Sequence, residues 1–282
     1  MLAQEFMRNA LIAGSVVWIA CGDVGWFVVL RAQVFAGDAL SHLAFAGALA
    51  AAAIGIDLRV GLFLATILGG VAMGALGDRA RADDVAIGTL FAWTLGLGVL
   101  FLSIFTTKGS GSGDNGTAGV RVLFGSIFGL SAADVRTSVV LAAVAVAILA
   151  AMARPLLFAS LDGSVAAAQG VPVRALGLVF LGLVGLVAAQ ATQAVGALLL
   201  LGLLAAPAGA AHRMTTRPWA GIGLSALLAL ASVWLGLTLA YVFPKLPPST
   251  MVISSAVALY VGSLVLASRS RIRSWPRRIV HV

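Results

Sequence analysis

One cysteine, two lysines and a charged fraction of 10% set the limits of this 282-residue chain. A lone Cys21 excludes an intramolecular disulfide and a thiolate zinc cluster, and reads as a small core residue. Neither Lys108 nor Lys245 stands in a G-x-x-x-x-G-K-S/T phosphate loop, so any ATP hydrolysis belongs to another subunit and the chain itself is not expected to be an enzyme. No G-x-S-x-G elbow or H-E-x-x-H pair is present, which argues against an intramembrane hydrolase. A cleavable signal is lacking too: Arg8 is followed by an apolar stretch longer than a signal core, so the first helix is expected to stay in place.

What is there is apolar. Soluble domains carry about a quarter charged residues. Here 61% of residues are hydrophobic and the mean hydropathy is +1.08. At ~20 residues per span, the chain reads as an all-α, polytopic helical bundle in a lipid bilayer, one transmembrane domain over 1–282. Nine spans are predicted at about 9–30, 35–56, 58–77, 85–106, 134–153, 175–190, 194–211, 219–242 and 250–267, with eight to ten as the range. The 33 glycines suit helices that pack by close backbone approach.

The net charge of +8 does not point to nucleic acid, because the arginines fall in short loops and in the tail at 269–282. Arg31, Arg79, Arg81, the 154–174 loop, Arg213, Arg217 and the tail lie on one side, which places the C-terminus in the cytoplasm and the N-terminus outside. The outer side receives the Gly/Ser loop at about 107–121 and the proline-rich turn Pro244 to Pro248.

Within the second span stands Gly37-Asp38-Ala39-Leu40-Ser41-His42. Ionisable residues inside a span are functional candidates. Asp38 and His42 are four apart and share one helix face, so they can present a carboxylate oxygen and an imidazole nitrogen to one point. Arg31 and Gln33 mark a hairpin on the cytoplasmic side. Counted from Gln33, Asp23 is ten residues back and His42 nine forward, so both lie roughly 15 Å deep. The three groups are expected to converge, either as a transient divalent-cation site or as an intramembrane ion pair that fixes packing. Asp23 reads as a structural partner of His42, and Ser41 as a supporting residue.

The hexapeptide resembles the signature of permease subunits of ATP-binding-cassette (ABC) importers for zinc, manganese or iron. Three further blocks agree: Leu123-Phe124-Gly125-Ser126-Ile127, before the helix start Ser131 to Asp134; the stretch Asp162, Ala166, Gly170; and Val195-Gly196-Ala197-Leu198-Leu199, leading to Ala206-Pro207-Ala208-Gly209. The resemblance implies a bacterial plasma (inner) membrane permease with no covalently bound cofactor, whose cargo is zinc or manganese, with iron possible. It implies three partners: a separate ATPase docked through a coupling helix at Asp162, Ala166 and Gly170, an extracytoplasmic metal-binding protein, and a second copy of the chain. A homodimer would bring two Asp38 and two His42 together as a four-ligand N2O2 set. Pro207 breaks a helix hydrogen bond and is a candidate hinge.

Three positions depart from the family, the first being Asp23 in Cys21-Gly22-Asp23, where the family supplies no acid. Ser164 stands where an acid is more usual, and Ala46 where proline is common, so the second helix is expected to be straighter. Gln190 and Gln193 are expected at an outer turn, bonding between helices or lining an entrance. His212 and His281 are expected to be solvated. A proton- or sodium-coupled secondary transporter, with Asp23, Asp38 and His42 as a relay, is the alternative reading; the chain shows no internal repeat of the kind such carriers often have.

Overall fold

The computed structural model describes residues 4–75, 84–108, 125–243 and 245–273. Among the described residues ten α-helices follow one another: α1 Glu5–Leu30, α2 Val34–Ala53, α3 Leu58–Ala75, α4 Asp84–Lys108, α5 Ala132–Leu161, α6 Gly163–Ala168, α7 Val173–Val195, α8 Leu200–Met214, α9 Pro218–Val242 and α10 Pro248–Arg273. Two 3-10 turns, Ile127–Gly129 and Ala197–Leu199, precede α5 and α8, and no strand occurs among the described residues.

Eight of the nine expected spans fall on one helix each, while the span expected at 194–211 starts at the end of α7, crosses the turn at Gly196 and continues as α8. Among the described residues, seven helices are long and apolar enough to cross a membrane. The apolar part of α4, Phe91–Phe105, is shorter. The 15 residues of α8 reach only ~22 Å at ~1.5 Å each, less than the ~30 Å hydrocarbon core; the 3-10 turn before it extends its reach. In contrast α5, with 30 residues, is ~45 Å long. The sequence reading ended this span at residue 153, but the helix continues through Pro155, so residues 155–161 belong to α5 and not to a cytoplasmic loop.

Sharp turns set the helix order. α1 ends in a Schellman motif: Gln33 N–H bonds Val28 O, Ala32 N–H bonds Val29 O, and Ala32 takes a left-handed φ of 54°. Gly55 closes α2 in the same way at φ 81°. The resulting hairpins put the α1–α2 connection, α6 and the α8–α9 turn at one end of the bundle, called the hairpin end below. The α2–α3 turn, the start of α5 and the end of α7 lie at the far end.

The core sits around α1, which packs on α9, α5 and α8. Trp18, Phe27, Phe180, Leu156 and Leu203 are fully buried there. Cys21 is buried among them as expected. α2, α3 and α7 form a second stack whose backbones approach closely. Gly47 of α2 faces Gly61 of α3, Gly70 faces Leu181 O, and Gly185 faces Thr66 O, with no room for a Cβ at any of these positions. α2 runs unbroken through Ala46. Outward-facing Leu64, Leu68, Trp93, Val99, Val140 and Leu227 are exposed apolar side chains, as a bilayer-facing surface requires.

Candidate functional site

The buried side of α2 carries Leu40, Ser41, Ala44 and Ala48. Asp38 and His42 lie on the adjoining face, half-buried, in line with Phe45 and Leu49, which pack on Phe101, Leu102 and Phe105 of α4. The His42 ring meets Phe91 of α4 edge to face, with centroids 4.9 Å apart at 87°. Phe91 was not singled out in the sequence, since nothing in a regular apolar run marks the residue that will hold an imidazole.

Neither the Asp38 carboxylate nor the His42 ring hydrogen-bonds to another described residue, so both keep lone pairs available. Their only mutual influence is electrostatic, through space. Ser41 is fully buried, and its hydroxyl donates to the Asp38 carbonyl oxygen at 2.7 Å. It therefore serves the backbone of the helix and not the Asp38 carboxylate.

Asp23 does not join them. Among the described residues no three His, Cys, Asp or Glu side chains converge. The reason is topological: α1 turns its faces to α9, α5 and α8 and meets α2 only sparsely. Equal depth on consecutive helices does not bring two side chains together when those helices diverge. Asp23 makes no hydrogen bond among the described residues, so a His42 partnership is corrected.

At the hairpin end, Asp162 caps the six-residue helix α6, accepting from Ser164 N–H and Val165 N–H, each at 3.0 Å. The Ser164 hydroxyl also donates to Asp162 Oδ1 at 2.7 Å. An acid at 164 could not donate, so the departure noted in the sequence completes the cap. Hydrogen bonds from the Ser164 hydroxyl, then from Val165 N–H, hold the Asp162 carboxyl below the usual carboxylate range. Gly170 ends α6 in a Schellman motif at φ 83°, with Val171 N–H on Ala166 O and Gly170 N–H on Ala167 O. Ala166 is fully buried, while Leu161 and Val165 are exposed. Arg31 reaches across from the α1–α2 hairpin to Ser160 Oγ at 3.3 Å and Gln33 Oε1 at 3.0 Å.

Pro207 lies buried inside α8, where it removes the bond to Leu203 O. One turn before it, Leu204 O touches Gly25 of α1 so closely that a Cβ would not fit. His212, expected to be solvated, is instead docked on Trp26 of α1. Gln190 and Gln193 sit within α7 and not in a turn, which comes later, at Gly196 (φ 95°). Both amide atoms of Gln190 and the Gln193 amide nitrogen are buried without a partner among the described residues, so the expected bonds between helices are not made.

Of the Leu123 to Ile127 block, residues 123 and 124 lie outside the described residues. Gly125 (φ 70°) abuts the backbone at Val195 and Gly196, and Ser126 N–H bonds Gln193 O at 3.3 Å. This block anchors the entry to α5 on the end of α7. His281 and the Gly/Ser loop from Gly109 to Gly119 also lie outside the described residues.

Known proteins similar in sequence and in fold identify the family. The manganese import system permease protein ScaB of Streptococcus parasanguinis is 30% identical over 95% of this chain and 92% of its own. The manganese transport system membrane protein MntC of Listeria monocytogenes is 25% identical over 99% and 98%. Among solved structures, PsaBC from Streptococcus pneumoniae in complex with Fab matches with a TM-score of 0.81, 27% identity, and coverage of 95% of this chain and 94% of that one. The profile of the ABC 3 transport family matches residues 3–267, so the chain is a member of that family and a multi-pass protein of the bacterial plasma membrane.

Proposed function

We propose that the chain is the permease subunit of an ATP-driven importer of a divalent metal, with manganese the leading cargo and zinc next. The observation that carries this reading is the Asp38–His42 pair: an oxygen and a nitrogen donor one turn apart, half-buried within a span and bonded to no other described residue. The relatives ScaB and MntC bear manganese in their names, which favours manganese. One Asp and one His cannot close a coordination shell. Two copies related by a two-fold axis supply two of each, a four-ligand set loose enough to release what it binds.

In this reading the N-terminus is outside and the hairpin end faces the cytoplasm, where α6 docks on a separate ATPase. The metal is handed over at the far end by an extracytoplasmic binding protein. Bending at Pro207 alternates access. The secondary-carrier reading loses its relay, because Asp23 does not converge with the pair.

Reconstitution tests the proposal. The chain is placed in proteoliposomes with a cognate ATPase and binding protein, and radiolabelled manganese uptake is followed. Uptake requiring ATP and binding protein, and competed by zinc, is the expected result. Uptake driven by a proton or sodium gradient without ATP would instead establish the carrier.

A further inference from the structure

At the far end, α3, α5 and α7 leave an open cleft of about 520 Å³ with a polar mouth and an apolar wall. Asp57, Arg59 and Asp134 form the mouth, and Phe63, Leu64, Ile67 and Leu141 form the wall below it. The arrangement follows from the helix starts. Asp57 Oδ1 accepts Arg59 N–H at 2.8 Å to begin α3, while Asp134 closes a capping box with Ser131 to begin α5.

Arg59 pairs through Nη1 with Asp134, which is 5% exposed, while the arginine side chain remains 57% exposed. Its Nε and Nη2 donors therefore have no partner among the described residues. Asp57 keeps one carboxylate oxygen uncommitted. On the α7 side Gln193 lines the same cleft, with its amide nitrogen buried and without a partner among the described residues. A buried donor left unmade is costly. The cleft thus offers free donors and one free acceptor at its mouth, with an apolar track beneath.

We propose that this cleft binds a single zwitterionic phosphoglyceride bearing a primary ammonium, of the phosphatidylethanolamine type. Its phosphate sits on the free face of Arg59, its ammonium on Asp57, and an acyl chain runs along Phe63, Leu64 and Ile67. Charge selects the head group. Two carboxylates against one guanidinium leave the mouth net negative, which disfavours an anionic lipid, and a choline head group has no N–H to give Asp57. The wall also faces the right medium, since Leu64 and its neighbour Leu68 are exposed on the outward side of α3.

Native mass spectrometry of the purified full chain, titrated with phosphatidylethanolamine, phosphatidylcholine or phosphatidylglycerol, tests this. Wild type should retain one ethanolamine lipid roughly tenfold more tightly than either competitor, and Arg59→Gln should lose that preference. Since Arg59→Gln also strips Asp134 of its partner, Leu64→Trp is the second variant, filling the wall while leaving the mouth intact. It should remove the adduct without changing the number of copies per particle. Equal retention of phosphatidylglycerol by wild type, or an undiminished adduct in Leu64→Trp, overturns the proposal. A change in copy number in Leu64→Trp also overturns it, assigning the cleft to contact with a second chain.

Discussion

The His212 ring lies flat on the Trp26 indole, centroids 4.7 Å apart at 12°, and its Nε2 is 3.0 Å from the Trp26 carbonyl oxygen. A carbonyl can only accept, so Nε2 carries the proton. The last turn of α8 is thereby fastened to α1 beyond Pro207, and the contact closes the segment in which a hinge would act.

His212→Ala should therefore lower stability by about 2 kcal/mol, the sum of one hydrogen bond and one ring stack. His212→Phe keeps the stack and should lose only about half as much. Thermal unfolding in detergent reads both. Equal melting of His212→Ala and wild type would return this residue to solvent.

Asp38→Ala and His42→Ala should each reduce manganese uptake by at least about tenfold, the effect of losing a metal donor worth 1.4 kcal/mol or more. Membrane levels should hold, because neither side chain bonds to a described residue. His42→Ala also empties the edge of Phe91, so its melting temperature is measured beside its transport. Normal uptake by the double variant would remove the pair from the path.

Asp23→Asn should transport like wild type. Its carboxylate is half-buried in α1, bonded to nothing described, and does not converge with Asp38 and His42. Removing an unpaired charge from an apolar setting lowers the cost of burial, so stability should hold or rise. Uptake as low as in His42→Ala, with stability intact, would put Asp23 on the metal path.

These cases show what the sequence made legible. Spans, caps and the Asp38–His42 pair follow from local periodicity and spacing: α2 reads the same alone as in the bundle, and Asp162, Ser131 and Gly170 act within four residues of themselves. Asp23 and His212 were misjudged because their surroundings come from helices far along the chain. The fate of Asp23 depends on which way α1 leaves the hairpin, and that of His212 on a contact spanning 186 residues. Gly25 reads as an unremarkable small residue and Gly125 only as part of a family block, since only the assembled bundle brings Leu204 O and the Val195 backbone against them.

Gly70→Val should be among the most damaging single changes outside the site. Any Cβ at this position strikes the Leu181 carbonyl oxygen, and backbone cannot swing aside as a side chain can. Overpacking of this kind costs about 1–3 kcal/mol or more. Reduced membrane levels and early melting, scored by fluorescence size-exclusion, are expected. A fully stable Gly70→Val would mean that α3 and α7 are not so closely packed.

Gly170→Ala separates backbone strain from steric clash. At φ 83° an L-residue is strained by roughly 1 kcal/mol, yet nothing lies within 4 Å of the added carbon. Loss of function would thus come from the disturbed end of α6 and not from crowding inside the subunit. The start of the helix is secure over the same range: a carboxyl held low by the Ser164 hydroxyl contributes its stabilisation above the usual carboxylate range and loses it only as pH falls through its depressed value, so Asp162 caps α6 at neutral and mildly acidic pH. Gly170→Ala should leave the isolated chain folded, with melting shifted by a few degrees at most, while weakening ATPase binding or metal-stimulated ATP hydrolysis in the assembled complex. Gly170→Trp adds bulk at a position open within the chain and should release the ATPase outright. If the ATPase stays bound and hydrolysis stays coupled to uptake in both variants, α6 is a passive loop and the docking surface lies elsewhere on the hairpin end.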